Sequence, residues 1–181
     1  VNKMATRQEM RSFVCAQCHV EYFFKGDEKR LTFPWDKGIK ADEMLQVYAE
    51  NGHKDWIHAE TKAPVLKAQH PEFEMFSQGV HAKSGVSCVD CHMPYMRVGA
   101  MKITDHQARS PLLNINKSCQ TCHHSPEAEL LSKVELIQSR HLEMRDRTLN
   151  ALIAFINDSK IALDKKIDPA KIKKAQTLQR E

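Results

Sequence analysis

Every cysteine in this chain of 181 residues, six in all, belongs to a short pair of one form. The pairs read Cys15-Ala16-Gln17-Cys18-His19, Cys88-Val89-Asp90-Cys91-His92 and Cys119-Gln120-Thr121-Cys122-His123. Each is C-x-x-C-H, the attachment pattern of c-type haem. Two thiols three residues apart on one turn can add to the two vinyl groups of one porphyrin. The histidine that follows (His19, His92, His123) then reaches the iron as proximal ligand. A chain with three such sites has to fold around three haems. A zinc site would draw four ligands from two pairs and needs no histidine after every second cysteine. A thioredoxin-like redox motif comes singly within a βαβ pattern, which is absent here.

Only 41% of the chain is hydrophobic, and no apolar run approaches the length of a membrane span. Three porphyrins would supply much of the missing core. The formal charge of +4 is offset by two propionates per haem, so the basic balance does not read as nucleic-acid binding. Thioether attachment is made on the outer side of the bacterial inner membrane, where six free thiols would tend to oxidise, so a periplasmic location is expected. The chain begins at Val1 without a signal peptide, which reads as a mature or trimmed product.

Three of the ten histidines are spent in the motifs, leaving His53, His58, His70, His81, His106, His124 and His141. Six-coordinate haems would take distal ligands from these. His81 and His106 flank the second motif in Gly- and Asp-containing loops and are the first candidates. His124 directly follows a proximal histidine and cannot turn back to the same iron. His141 reads as a helix-face residue.

The expected fold class is mainly α: a multihaem cytochrome c with haem-organised loops and long C-terminal helices. Residues 6–14 form a short helical approach to the first motif, and 41–50 form one amphipathic helix with Asp42 and Glu43 in its first turn. Residues 60–120 read as loops organised by haems, because no alternating apolar run is sustained. Ser125-Pro126 opens a helix whose stripe of Leu130, Leu131, Val134, Ile137, Met144, Leu152, Phe155 and Ile156 runs to about residue 164. That stripe is either core or a dimer interface. Asp168-Pro169 starts a last helix. The chain therefore divides into a haem-binding region, 1–125, and C-terminal helices, 126–181.

Two polar segments are not explained by haem attachment: Glu21-Tyr22 and Lys67-Ala68-Gln69-His70-Pro71-Glu72. A carboxylate, an amide oxygen and carbonyl oxygens make a hard site that suits calcium. A tyrosine and a histidine beside a haem could donate protons and hydrogen bonds to an oxyanion.

These segments, with Val20-Glu21-Tyr22-Phe23-Phe24 after the first motif, Phe33-Pro34-Trp35, Ala63-Pro64-Val65-Leu66 and the Met93-Pro94 that closes the second motif, resemble the pentahaem cytochrome c nitrite reductases, which form ammonium. The resemblance spans about residues 5–125 and continues more loosely through the C-terminal helix. It implies that Tyr22 and His70 are the catalytic pair. It also implies that Glu21, Gln69 and the backbone carbonyls of Tyr22 and Lys67 hold a structural calcium ion. His81 would be the distal ligand of the haem on Cys119 and Cys122, and His106 would ligate a haem attached upstream. Five haems are implied for the full family member, three of them here. Further implied are nitrite as substrate, a quinol-oxidising or soluble multihaem cytochrome as electron donor, and homodimerisation through the 126–164 helix.

The family's catalytic haem sits on C-x-x-C-K, with lysine as proximal ligand, and this sequence has no such motif. The simplest expectation is the C-terminal portion of a longer chain. Two other readings stay open: a triheme electron carrier without catalysis, and an octahaem relative acting on hydroxylamine or tetrathionate. A pure carrier has no use for Glu-Tyr and Lys-x-Gln-His meeting at one haem face, which favours catalysis.

Overall fold

The structure, a computed structural model, describes residues 3–180. It is mainly α, with eight helices among the described residues: α1 (Arg7–Phe13), α2 (Ala41–Glu50), α3 (Glu72–Gln78), α4 (Val80–Lys83), α5 (Cys88–His92), α6 (Ile115–Ser118), α7 (Glu127–Asp164) and α8 (Pro169–Arg180). Three antiparallel two-stranded ribbons accompany them. These are β1 (Phe23–Lys25) with β2 (Arg30–Thr32), β3 (Trp56–Ile57) with β4 (Pro64–Val65), and β5 (Tyr95–Val98) with β6 (Met101–Thr104).

The chain packs as two compact units, each drawn from separate segments. One comprises Val1–Val20 and Pro71–Arg140, the other Glu21–His70 and His141–Glu181. The 1–125 and 126–181 division follows chain order, whereas these units each draw on both stretches.

In the first unit, α1 begins at a reciprocal cap. The Thr6 hydroxyl accepts from the Glu9 N–H (3.2 Å), and the Glu9 carboxylate accepts from the Thr6 N–H (2.7 Å). Helix α5, which is the second haem motif itself, is tied on two sides. The Cys88 N–H donates to the Ser12 hydroxyl at the end of α1 (3.3 Å), and the Ser118 hydroxyl of α6 donates to the Cys91 carbonyl (2.8 Å). The stretch 60–120, read from the sequence as loops, carries four short helices and the β5–β6 hairpin between its loops. Four-residue strands are too short for their alternation to stand out. Gly99, with φ +60°, occupies the first loop position, where a two-residue hairpin connection demands glycine.

The second unit has a side-chain core of ordinary kind. Helix α2 turns Met44, Val47 and Tyr48 inward, where they are buried along with Phe23, Ala63 and Val65. Phe23 meets Tyr48 edge-on, with ring centres 5.1 Å apart. Helix α8 latches onto Thr61, in the loop between β3 and β4, and onto His53, which precedes β3. Gln176 donates to the Thr61 carbonyl (2.9 Å), the Thr61 hydroxyl donates to the Gln179 side chain (2.6 Å), and Arg180 donates to the His53 carbonyl (2.5 Å).

Along α7, Leu130, Leu131, Val134, Leu152, Phe155 and Ile156 are half-buried, whereas Ile137 and Met144 of the same stripe are 66% and 53% exposed. Among the described residues no helix is long and apolar enough to cross a membrane.

Candidate haem and oxyanion sites

In the first unit, the first two motifs open onto one cavity of about 620 Å³, within the ~300–1,000 Å³ range of cofactor pockets. Cys15 and His19 of the first motif, Cys88, Cys91 and His92 of the second, and His81, Phe73 and Phe76 line it. Burial pushes the Cys15 thiol above its ordinary range, with Cys88 adding to the effect, and burial followed by the neighbouring Cys119 does the same to Cys91. The three motifs therefore lie in series, with the second in the middle. The apolar walls, paired thiols and adjacent imidazoles fit haem.

The histidines add a second test of that fit. The His92 Nδ1 lies 3.0 Å from the Arg109 carbonyl. A hydrogen bond there fixes the tautomer and leaves Nε2 for a metal. His106 is held likewise, its Nδ1 2.7 Å from the Thr104 carbonyl. The His81 and His123 ring centres are 6.1 Å apart, with planes at 82°. Two imidazoles on opposite faces of one iron, each ~2 Å from metal to nitrogen and ~1 Å more to the ring centre, give roughly 6 Å. The spacing therefore leaves room for one iron between them. His19 is exposed, with its Nδ1 3.6 Å from the Glu72 carboxylate.

The second unit brings Tyr22 and His70 together, with ring centres 5.6 Å apart and planes inclined at 53°. Phe24 supports Tyr22 edge-on at 5.7 Å. The His70 strap is pinned at alternate backbone N–H groups. Gln69 donates to the Glu21 carboxylate (2.7 Å), and Lys67 donates to Asp55 (2.7 Å). Glu21 is only 3% exposed, and its other oxygen accepts from the Tyr48 hydroxyl (2.6 Å). Of the residues expected to hold calcium, Glu21 and Gln69 are brought into contact, through the Gln69 backbone N–H. Among the described residues no group of three or more His, Cys, Asp and Glu side chains could hold a metal ion.

Sequence reasoning missed Tyr48, Asp55 and Asp90. The first two hold Glu21 and the strap from 27 and 12 residues away. Their only local signal is the inward face of α2 for Tyr48; Asp55 has none. His53, one of the spare histidines, is not placed as a ligand. It lies against Phe23 and Tyr48, with ring centres 4.8 and 5.2 Å away.

The family described as cytochrome c552 matches across residues 1–181. The cytochrome c-552 of Parabacteroides distasonis is 51% identical over 161 residues, covering 89% of this chain and 33% of that protein. That of Porphyromonas gingivalis is 49% identical over 161 residues, covering 89% and 32%. That of Maridesulfovibrio salexigens is 46% identical over 158 residues, covering 81% and 31%. The chain thus spans about a third of the length of the curated relatives it matches. Among solved structures, the catalytic subunit of cytochrome c nitrite reductase from Desulfovibrio desulfuricans, described with two calcium sites, superposes with a TM-score of 0.92. The identity is 32%, and the match covers 98% of this chain and 41% of that one.

Proposed function

Because the chain belongs to the cytochrome c552 family, we propose that it is the C-terminal, three-haem part of a periplasmic pentahaem nitrite reductase that forms ammonium. The observation that carries this reading is the Tyr22–His70 pair on a strap pinned by Glu21. An electron carrier needs no such pair. Overall, nitrite takes up six electrons and eight protons to give ammonium and two waters.

Covalent haem would be held by Cys15 and Cys18, Cys88 and Cys91, and Cys119 and Cys122. In this reading His19, His92 and His123 would each ligate the iron of the haem on their own motif, and His81 would ligate that of the haem on Cys119 and Cys122. His106 would serve a haem attached elsewhere. When bound, haem supplies electrons and the iron site at which nitrite is reduced.

The chain's own groups do the rest. The His70 imidazole holds a proton and passes it to an oxygen or nitrogen of the substrate. The Tyr22 hydroxyl donates a hydrogen bond to the same oxyanion. Glu21, through the Gln69 N–H, keeps His70 facing Tyr22. Glu21, Gln69 and the carbonyls of Tyr22 and Lys67 would hold calcium, which would stiffen the same strap. The exposed Ile137 and Met144 of α7 favour a homodimer. The electron donor in this reading is a quinol-oxidising or soluble multihaem cytochrome.

The test is His70→Ala in the intact enzyme. Nitrite turnover should be lost while the haem spectra stay unchanged. Survival of activity would sink the role given to His70.

A further inference from the structure

Asp90 stands between the two cysteines of the second haem motif, yet its carboxylate points to the helix that leads into the first. It accepts from the Arg11 guanidinium (2.5 Å), from the Gln8 amide (2.7 Å), and from both the N–H and the hydroxyl of Ser87 (2.8 Å each). Gln8 and Arg11 lie three residues apart on α1 and so share one face. Gln8 also donates to the Gly85 carbonyl (2.9 Å) just before α5. Arg11 is itself held: it donates to the Tyr95 hydroxyl (3.0 Å), with its guanidinium carbon 4.9 Å from the centre of that ring. Lys102 also packs on the Tyr95 ring, with its Nζ 4.5 Å from the centre.

The contact with Arg11 is an ion pair with both side chains mostly covered, 13% and 29% exposed. Such a pair adds little stability over a well-packed apolar contact of the same shape. What it supplies is direction: one guanidinium nitrogen donates to Asp90 and the other to the Tyr95 hydroxyl, and a planar group held at both prongs admits few relative placements of α1 and α5. Of the two helices joined this way, α1 leads into the first haem motif and α5 is the second, and the two motifs open onto one cavity.

We propose that Arg11 and Asp90, with Gln8, form a positioning clamp that sets the spacing of the first and second haems and so the rate of electron passage between them. The proposal rests on the haem attachment argued above. In that passage one electron leaves a ferrous iron and reduces a ferric one, and no bond forms or breaks. Displacing α1 from α5 would lengthen the path in either direction.

The test uses the full-length holoenzyme and the variants Arg11→Gln, Asp90→Asn, their double, and Arg11→Lys. Intact mass first establishes haem content. Reduction potentials and the rate of internal re-equilibration after a short pulse of reductant are then measured. A clamp predicts several-fold slowing in both single variants, with the double no slower than the slower single. Arg11→Lys, which keeps the charge and loses the fork, should also be slowed. If charge alone acted, removing a negative and removing a positive group would move potentials and rates in opposite senses. That outcome, unchanged rates, or a wild-type rate in Arg11→Lys would overturn the proposal. A wild-type mass short of a haem at either motif would instead overturn the functional reading on which it stands.

Discussion

The two units of this chain are built on different cores. In Glu21–His70 with His141–Glu181, the buried apolar residues Phe23, Met44, Val47, Tyr48, Ala63 and Val65 pack against one another. In Val1–Val20 with Pro71–Arg140, Val20, Val89 and Ile115 are buried among the described residues, and beside them lies a cavity whose lining includes thiols and imidazoles. The first kind of unit draws its cohesion from side-chain burial. The second needs a guest, because burying so little apolar surface does not offset the entropy of ordering its backbone. The division also separates the candidate sites: the C-x-x-C-H motifs fall in the unit with the cavity, and the Tyr22–His70 pair in the one that packs itself.

The largest expected effect breaks the comparison at its weaker member. Replacing Cys88 and Cys91 by alanine should remove one haem from the intact mass and strip hydrogen-exchange protection from α1, α5 and α6, which meet around that motif. Protection in α2 should persist. Equal loss in both units would mean that the haems hold the whole chain and that the distinction between cores is false. The converse change is Phe23→Ala, which removes a ring that is 5% exposed and packed on Tyr48 and His53. Truncating a buried phenylalanine costs ~3–5 kcal/mol. The loss should appear in the exchange of α2 and leave the haem content unchanged.

The same contrast explains what could be read from the residues alone. The C-x-x-C-H motifs are legible because their chemistry is local: five consecutive residues carry two thiols and an imidazole. Helices α1, α2, α7 and α8 were legible from caps and periodicity, which are also local. The β5–β6 hairpin was not, because four residues a side is too short for its alternation to register. Nothing near Cys15 says that Cys88 is its neighbour. The clamp that joins them spans 79 residues from Arg11 to Asp90, and Asp90 reads in sequence only as filler between two cysteines. Tyr48, Asp55 and Thr61 were invisible for the same reason: each matters through a partner far along the chain.

A smaller effect separates the units by pH. His53 packs against Phe23 and Tyr48 in the self-packed unit, and burial lowers its pKa. Asp55 opposes the shift, Arg180 reinforces it and Glu21 opposes it. A histidine with a depressed folded pKa binds its proton more readily when unfolded. Stability is therefore full above the ordinary histidine value of about 6.5 and declines as pH falls below it, until the folded pKa is passed. Exchange in α2 should accelerate on acidification through that window, and His53→Phe should flatten the response. An unchanged slope in the variant would assign the dependence to another group.

The smallest expected effect concerns the ion pair between Lys160 of α7 and Glu60, 2.5 Å apart and half exposed on both sides. Their hydrogen bond lowers the Glu60 pKa and raises that of Lys160, so both are charged across the neutral range. The geometry suggests a latch, but exposed pairs are screened by salt and spend side-chain entropy to form. The neighbouring Thr61 is different: it is 1% exposed, its hydroxyl donates to Gln179, and its carbonyl accepts from Gln176. If α8 is held by buried polar contacts, Glu60→Gln should leave the exchange of α8 unaltered at any salt concentration, whereas Thr61→Val should raise it. A salt-dependent loosening in Glu60→Gln equal to that of Thr61→Val would show that the surface charge carries the latch. The self-packed unit would then owe part of its cohesion to something other than its core.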